Sequence, residues 1–385
     1  METVLLKNVT ITGKGEYGIA ASSCQYNPAF PQYIRITDIS DDGRYMPSPC
    51  VSISPSEYPT FNRYFLHEGD IVFARTGAST GRNYYYNPKD GNLVFAGFLI
   101  RFSIDPVKIN PQYIKYYCQT QKYCDWVVRT STGSTRENLN AQDYANLEIP
   151  LKTPEEQQHI VDILGSIDEK IENNELLIQK IEEKVLLEYD RINSLEPLSE
   201  IVMSDCFDIT IGKTPPRKEA HWFTKNSTDV KWLSISDLGK SSVFCFDTSE
   251  RITPEGISKY NVKVVPKNTV VLSFKLTVGK VAITGCDMAT NEAIAHFNSS
   301  NHCLLEYLYC YLKRYNFDTL GNTSSIATAV NSKTIKAMHF FIPDDTKLEN
   351  FHHKTLPLFE NIRQLLIENQ KLNELKQLYL KKFFG

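Results

Sequence analysis

Apolar residues recur at intervals of three and four in two long stretches of this chain, and this spacing predicts two long amphipathic helices. The first predicted helix covers 155–193 and would be about 58 Å long at 1.5 Å per residue. Its stripe comprises Ile160, Leu164, Ile167, Ile171, Asn174, Ile178 and Ile181. The stripe of the second helix, near the C-terminus, comprises Leu358, Ile362, Asn369, Leu372 and Leu375. Both stripes follow the heptad pattern of a coiled coil.

Each stripe contains one asparagine, Asn174 in the first and Asn369 in the second. A polar residue at a seam position lowers stability and can fix the register of a coiled coil. The alternative is that the two asparagines are unrelated and face solvent. Each predicted helix follows its own globular region, so we expect the two helices to pack on each other in antiparallel orientation.

The regions before the two helices have a mostly β pattern. Three runs rich in β-branched and aromatic residues predict strands at Tyr33–Ile39, Asp70–Ala74 and Leu93–Phe102. Pro111–Val128 predicts one helix, and a helix around Leu304–Tyr315 follows in the second region. Thr153 suits the N-cap of the first long helix, with Pro154 at its first position.

The two halves also repeat one another at a spacing of 193 to 199 residues. The paired segments are Ile34–Ile39 with Leu233–Leu238, Gly69–Ala74 with Lys267–Leu272, Gly81-Arg82 with Gly279-Lys280, and Leu147–Pro150 with Phe340–Pro343. We therefore predict domains at 1–150 and 195–343 and helical regions at 151–194 and 344–385. The expected fold is α+β: two duplicated, mostly-β domains separated by two long antiparallel coiled-coil helices, with pseudo-twofold symmetry.

Charge and cysteine content narrow the class of protein. The net charge of −3 resides in the first helical region, since 151–194 carries −6 while 1–150 is neutral and 195–343 carries +2. The domains can therefore present basic faces. Nine cysteines without a CxxC pair favour reduced thiols and a cytoplasmic protein. No apolar run is long enough for a membrane span, and no signal peptide is predicted.

Several segments, in their order and duplication, resemble the specificity subunit of a type I restriction–modification system. They are Gly212-Lys213-Thr214-Pro215, Trp232–Leu238, Gly69-Asp70-Ile71-Val72, Ile149-Pro150-Leu151, Pro154-Glu155-Glu156-Gln157 and Ile160–Leu164. The second repeat departs from the pattern, because it lacks a Glu-Gln pair after Pro343 and has Lys267-Asn268 in place of Gly69-Asp70. The two helical regions are therefore not interchangeable.

The resemblance implies two target-recognition domains that bind the halves of a split, asymmetric double-stranded DNA site. It also implies two modification subunits that methylate adenine with S-adenosylmethionine, and optional restriction subunits that translocate with ATP. Neither cofactor is expected on this chain. The length of the helices would set the gap between the half-sites.

Polar loops at matching positions hold most of the candidate DNA contacts, and a loop peculiar to the second domain holds Arg217 and Lys218. Arg and Lys suit guanine edges and Asn suits adenine. In the first domain they are Arg75, Thr76, Ser79, Thr80, Arg82, Ser134, Thr135, Arg136 and Asn138. In the second they are Lys213, Arg217, Lys218, Lys275, Thr277, Lys280, Ser324, Ser325, Asn331 and Lys333. The alternative for any one of them is an ordinary solvated turn.

No catalytic or metal site is predicted. Gly77–Arg82 is one residue short of a phosphate-binding loop and lacks its Lys-Ser/Thr ending, and Thr214-Pro215-Pro216-Arg217 is not the Asn/Asp-Pro-Pro-aromatic signature of an adenine methyltransferase. The runner-up is a pseudo-symmetric coiled-coil scaffold whose β domains bind protein loops without DNA binding. The neutral charge of the first domain keeps that alternative open.

Overall fold

The computed structural model describes residues 2–57, 60–131, 138–195, 198–275, 277–320 and 330–385. The chain forms two compact units. Unit 1 consists of Met1–Ile171 and Lys371–Gly385, and unit 2 consists of Glu172–Gln370. Each unit thus contains one β domain and a segment of each long helix.

Unit 1 contains two four-stranded sheets and one two-stranded sheet. Its strands are β1 (Thr3–Leu5), β2 (Glu16–Tyr17), β3 (Ser23–Gln25), β4 (Gln32–Ile34), β5 (Val51–Ile53), β6 (Asp70–Ala74), β7 (Asn83–Tyr85), β8 (Leu93–Phe95), β9 (Leu99–Ser103) and β10 (Glu148–Pro150). Its helices are α1 (Pro111–Tyr117), α2 (Gln121–Ser131), α3 (Ala141–Ala145) and the first part of α4 (Pro154–Leu195). The strand orders are β2-β9-β6-β7, β3-β5-β4-β8 and β1-β10.

Unit 2 repeats these sheets with one additional strand in each larger one. Its strands are β11 (Ser199–Val202), β12 (Asp208–Ile211), β13 (Phe223–Thr224), β14 (Val230–Leu233), β15 (Phe244–Cys245), β16 (Glu250–Ile252), β17 (Val264–Val265), β18 (Val270–Ser273), β19 (Val281–Thr284), β20 (Met288–Thr290), β21 (Ile294–Asn298) and β22 (His339–Ile342). Its helices are α5 (Met203–Cys206), α6 (Ile235–Lys240), α7 (Pro254–Tyr260), α8 (Leu304–Arg314), α9 (Ser332–Lys336), the rest of α4 and most of α10 (Asp345–Phe384). The end of α10, from Lys371, belongs to unit 1. The orders are β12-β21-β18-β19-β15, β13-β16-β14-β20-β17 and β11-β22. The predicted α+β class with two repeated domains and two long helices is confirmed.

Backbone hydrogen bonds correct the correspondence between the repeats. The N–H of Leu6 donates to Leu147, and the N–H of Met203 donates to Met338 in the same way. Leu147 therefore corresponds to Met338, 191 positions away, and not to Phe340. Gly69 likewise corresponds to Asn268. Gly69 precedes β6 and Asn268 precedes the corresponding strand β18, and both have a positive φ, of 90° and 65°. The predicted pairing of Leu147 with Phe340 was wrong by two residues, and that of Gly69 with Lys267 was wrong by one. Short apolar runs align equally well in neighbouring registers, so sequence similarity alone does not fix the alignment.

Three predicted elements are interrupted in the structure. The strand predicted at Tyr33–Ile39 ends at Ile34, where the carboxylate of Asp38 accepts a hydrogen bond from the N–H of Arg35 and starts a 3-10 turn. The run at Leu93–Phe102 is divided into β8 and β9 by a turn. The helix predicted at Pro111–Val128 is two helices, because the Thr120 hydroxyl accepts from the N–H of Tyr123 and begins α2 anew.

In unit 1, the long helices run antiparallel, since α4 and α10 contact each other at His159–Phe383 and at Asp168–Lys376. Ile160, Leu164, Ile167 and Ile171 are buried in α4. Leu375 was placed in the seam wrongly, because its side chain is 40% exposed. Lys376 is buried in its place, with its ammonium 2.6 Å from Asp168. Leu372 is half-buried.

In unit 2, the two seam asparagines contact each other. The Asn174 amide donates to the Asn369 carbonyl oxygen at 2.8 Å and also to Glu368. Ile178, Ile181 and Ile362 are buried, and Leu358 is half-buried beside them. Glu188 pairs with Lys354 at 3.1 Å, so these segments also run antiparallel. The asparagines face the seam and not solvent.

Corresponding capping residues begin the two long helices. The Thr153 hydroxyl accepts from the N–H of Glu156, whose carboxylate accepts from the N–H of Thr153. Asp344 caps α10 at the corresponding position, accepting from the N–H of Lys347 at 3.0 Å. In unit 1 the adjacent Gln157 is buried and accepts from the N–H of Asn110, which ties α4 to the start of α1.

Candidate nucleic-acid interface

The connection between β6 and β7 is a tight loop whose closing hydrogen bond recurs in unit 2. The N–H of Gly81 donates to Ala74, and the N–H of Gly279 donates to Ser273, both at 3.0 Å. Both glycines have φ of +89°, which a side chain would strain. A Cβ at Gly81 would also lie 2.6 Å from Val127 of α2. The two loops therefore share the closing hydrogen bond and the glycine backbone angle, although the loop of unit 2 is one residue shorter.

Arg82 is largely engaged within unit 1. Its guanidinium donates to Asp41 at 2.7 Å and to the carbonyl oxygen of Ile39 at 3.2 Å, and its side chain is 30% exposed. Thr80 donates to the carbonyl of Gly77, and Ser79 is buried. These three predicted contacts therefore also stabilise the loop, and Arg82 would have to leave Asp41 to bind a phosphate or base.

Arg75 lies where several loops of unit 1 meet. Its N–H donates to the carbonyl of Phe98 at 3.1 Å, and its own carbonyl accepts from the N–H of Leu139 at 3.0 Å. Its guanidinium carbon lies 5.0 Å from the ring centroid of Tyr17. The Tyr17 hydroxyl accepts from the N–H of Ala141. Asn138 is thereby brought beside Arg75.

Sequence reasoning missed the two aromatic residues of this area. Phe98 is 59% exposed and Tyr17 is 43% exposed. Phe98 lies in the turn between β8 and β9, inside a run that was interpreted as one strand. A signal was present at Gly97, because glycine within a strand pattern often marks a turn or bulge. Thr76 lies next to Arg75 and is half-buried.

Unit 2 presents most of its cations at other positions, although Lys280 corresponds to Arg82. Arg217 lies 4.0 Å from the ring centroid of Phe223 and 4.7 Å from that of Trp232, and it pairs with Glu250 at 2.9 Å. The other predicted contacts are exposed in two loops; they are Lys213 and Lys218 before β13, and Lys275, Thr277 and Lys280 between β18 and β19.

Asn331 begins α9. Its side chain accepts hydrogen bonds from the N–H groups of Lys333 and Thr334, as Asn140 accepts from two N–H groups at the start of α3. Its carbonyl oxygen is thus used as a helix cap, while the Lys333 side chain is exposed. The remaining predicted contacts lie outside the described residues; they are Ser134, Thr135, Arg136, Ser324 and Ser325.

The interiors beneath these loops differ between the units. His296 in β21 pairs with Val271, and Arg101 in β9 pairs with Val72 at the corresponding place in the neighbouring strand. His296 therefore occupies the position of Arg101. The His296 ring contacts the hydroxyls of Thr210 and Thr290, and burial lowers its pKa to about 4. Arg101 instead lies 3.6 Å from Asp70, whose pKa burial raises.

The chemistry of these loops suits binding. Guanidinium, ammonium and amide donors beside aromatic rings can contact phosphates and base edges. Among the described residues, no group of three or more His, Cys, Asp or Glu side chains is arranged to hold a metal ion. In the same part of the chain, no helix has the length and apolar character needed to span a bilayer.

Similarity to known proteins identifies the family. The family model described as the type I restriction modification DNA specificity domain matches residues 2–183 and again 199–377. The chain is 27% identical over 182 residues to the specificity subunit of the type I restriction enzyme HindI from Haemophilus influenzae, covering 46% of this chain and 39% of that subunit. It is 25% identical over 296 residues to the MjaIX specificity subunit from Methanocaldococcus jannaschii, covering 68% and 64%.

The chain thus spans less than two thirds of the length of either curated relative. The crystal structure of a type I restriction–modification S subunit from M. genitalium has a similar fold, with a TM-score of 0.54 at 14% identity over 100% of this chain and 96% of that one. The two matched segments together account for most of the sequence. The chain therefore belongs to the family of type I restriction–modification DNA specificity proteins.

Proposed function

We propose that this chain is a non-catalytic specificity subunit that binds a split, asymmetric site on double-stranded DNA. The single observation that supports this best is the repeated fold whose corresponding loops carry different donors. Arg75 and Arg82 lie in the loop of unit 1, and Lys275 and Lys280 lie in that of unit 2. One scaffold with two sets of side chains suits the reading of two different half-sites.

The partners follow from the same proposal. Two modification subunits would dock on the chain and methylate adenine in each half-site with S-adenosylmethionine. Restriction subunits, where present, would use ATP. The chain itself would bind neither cofactor, and its predicted cytoplasmic location accords with access to DNA. The predicted domain boundaries at 150, 194 and 343 stay predictions.

The test is single-molecule methylome sequencing of a host with and without the gene. We expect one bipartite motif, with unequal halves and a fixed gap, to lose its methylation when the gene is deleted. Both hosts must carry the modification subunits. An identical methylome with and without the gene contradicts the proposal.

A salt series tests the DNA contacts of unit 2. Lys280→Ala should weaken DNA binding by the assembled methyltransferase and reduce the slope of log K against log salt by about 0.9 for each lost phosphate contact. Lys180→Ala is the matched control, because Lys180 is also exposed but lies on α4. Equal slopes for wild type and Lys280→Ala would show that Lys280 contacts no phosphate.

One observation suits the scaffold alternative as well as the docking of two modification subunits. Leu187 in unit 2 and Leu378 in unit 1 are 58% and 65% exposed and occupy corresponding positions of α4 and α10. Two equivalent apolar side chains suit two copies of one protein partner. The methylome decides between the functions, since a scaffold without DNA binding would leave every methylated motif in place.

A further inference from the structure

The two units place different residues at three corresponding positions around one loop. The hydrogen bond from the N–H of Arg75 to Phe98 corresponds to that from the N–H of Phe274 to Ala293. The bond from the N–H of Gly18 to Leu99 corresponds to that from the N–H of Gly212 to Ile294. Tyr17, Arg75 and Phe98 of unit 1 are therefore replaced by Ile211, Phe274 and Ala293 in unit 2. We name these three residues of unit 1 the aromatic–arginine patch.

The patch is built on a fixed backbone. A Cβ at Gly18 would lie 2.2 Å from the carbonyl oxygen of Ala96, so glycine is required for the chain after β2 to approach the end of β8. Hydrogen bonds on both sides of Arg75 hold its main chain. The guanidinium rests on the Tyr17 ring, an arrangement that orients arginine without neutralising its charge. Arg75 is thus oriented before any ligand binds.

The side chains retain unused binding capacity. Among the described residues, the Nε of Arg75 is buried and has no hydrogen-bond partner, whereas the side chain as a whole is half-buried. Phe98, next to Arg75 through the backbone hydrogen bond, is 59% exposed to water. Leaving a large aromatic side chain in water is unfavourable, and the half-buried guanidinium of Arg75 gains from an acceptor that fits its planar geometry.

We propose that the aromatic–arginine patch reads bases in one half-site only. Arg75 donates to the O6 and N7 acceptors of a guanine, and the Phe98 ring packs on the neighbouring base. This inference rests on the proposed function and assigns base readers to unit 1. Phosphates recur along all DNA, so residues that contact only phosphate need not differ between the units. Residues that differ at equivalent positions of one scaffold are those that can distinguish two half-sites.

The test compares methylomes of hosts that carry the modification subunits with wild-type, Arg75→Ala, Arg75→Lys or Phe98→Ala chains. We expect wild type to methylate a bipartite motif with a G·C pair in one half. Arg75→Ala should reduce discrimination at that pair at least about tenfold, while the other half stays strict. Arg75→Lys should retain part of the preference, because lysine donates to guanine without the bidentate geometry. Phe98→Ala should relax the adjacent position.

Val107→Ala is the matched control, because Val107 is 93% exposed in the same unit and lies outside the patch; its motif should equal that of wild type. Purified variants should have the melting temperature of wild type. This control separates a loss of base recognition from a loss of folded protein. Reduced methylation with both half-site sequences unchanged would overturn the inference, as would an unaltered motif. A wild-type chain without any bipartite motif would instead refute the proposed function itself.

Discussion

At the residue scale, single positions show how corresponding sites in one scaffold acquire different chemistry. The position of Arg101 in unit 1, with its charged partners, is occupied in unit 2 by His296 between two threonine hydroxyls. The charged network of unit 1 keeps an ion inside the β domain, whereas unit 2 keeps a neutral ring. The two interiors should therefore respond differently to acid.

The stability of unit 2 should fall with decreasing pH because of His296. Its pKa is about 4 in the folded chain against 6.5 for a free imidazole. Between pH 6.5 and about pH 4, His296 binds a proton in the unfolded state but stays neutral in the folded state. The free energy of unfolding therefore falls over this interval, by about 3 kcal/mol in total. Chemical denaturation at a series of pH values measures this change.

His296→Gln is the control for that measurement, because glutamine can bond both threonines without titrating. Its unfolding curve should depend less on pH over the same interval. An equal pH dependence in wild type and variant would assign the effect to other groups.

Gly212 is required by close packing and not by its backbone angles. A Cβ at this position would lie 2.2 Å from the carbonyl oxygen of Asn291, whereas one at Gly239 in α6 would meet nothing within 4 Å. Gly212→Ala should lower the free energy of unfolding by about 1–3 kcal/mol, and Gly239→Ala should leave it equal or higher. Thermal unfolding of both variants checks this pair, and similar melting temperatures would contradict it.

At the element scale, the long helices show what sequence could and could not predict. The stripe from Ile160 to Ile181 and the Thr153 cap follow from local periodicity and capping rules, and the structure shows both. The prediction for the second stripe was wrong near its end, because it placed Leu375 in the seam, where the structure buries Lys376. Lys376 is buried there because Asp168, also bonded to Lys115 and Tyr116, lies opposite it.

The candidate interface was only partly predictable for a similar reason. Arg75 and the loop glycines could be found from composition, but the exposure of Tyr17 and Phe98 depends on strands distant in sequence. The same holds for Arg82, whose partner Asp41 lies 41 positions earlier. Tertiary contacts, which no local pattern encodes, decide which polar side chain is already engaged.

The asparagine pair in the seam makes a prediction for the helices. Asn369→Leu should lower the free energy of unfolding by about 1–3 kcal/mol, because it leaves the buried amide of Asn174 short of an acceptor. The double variant Asn174→Leu/Asn369→Leu should recover that stability, because two leucines pack in the seam and leave no buried side-chain amide without a hydrogen bond. Denaturation of the three chains tests this, and additive losses in the double variant would contradict it.

At the scale of the whole molecule, duplication with divergence is the main feature. The sheets of both units have the same strand order apart from one additional edge strand in each larger sheet of unit 2, and the two long helices begin at corresponding capping residues. The differences lie in the additional strands of unit 2, in the loops, in one buried interior position and in the seam. A repeated scaffold with different loops accords with the proposed target in two unlike parts.

We expect the helices to set the gap in the DNA site. Deleting 175–181 and 362–368 together removes one heptad from facing segments and keeps Asn174 with Asn369. About 10.5 Å of helix is lost, the rise of about three base pairs at 3.4 Å each. The methylome of a host with this variant should show a gap shorter by about three base pairs. An unchanged gap would exclude helix length as its determinant.

The asparagine contact has an evolutionary consequence. At the offset of 191 that relates Thr153 to Asp344, Asn174 corresponds to Leu365 and Asn369 to Ile178. A gene rearrangement that replaced one half with a copy of the other would set each asparagine against an aliphatic side chain. Two buried amides would then lack partners, at a cost of about 1–3 kcal/mol each. The seam thus disfavours palindromic descendants and favours recombinants whose halves differ.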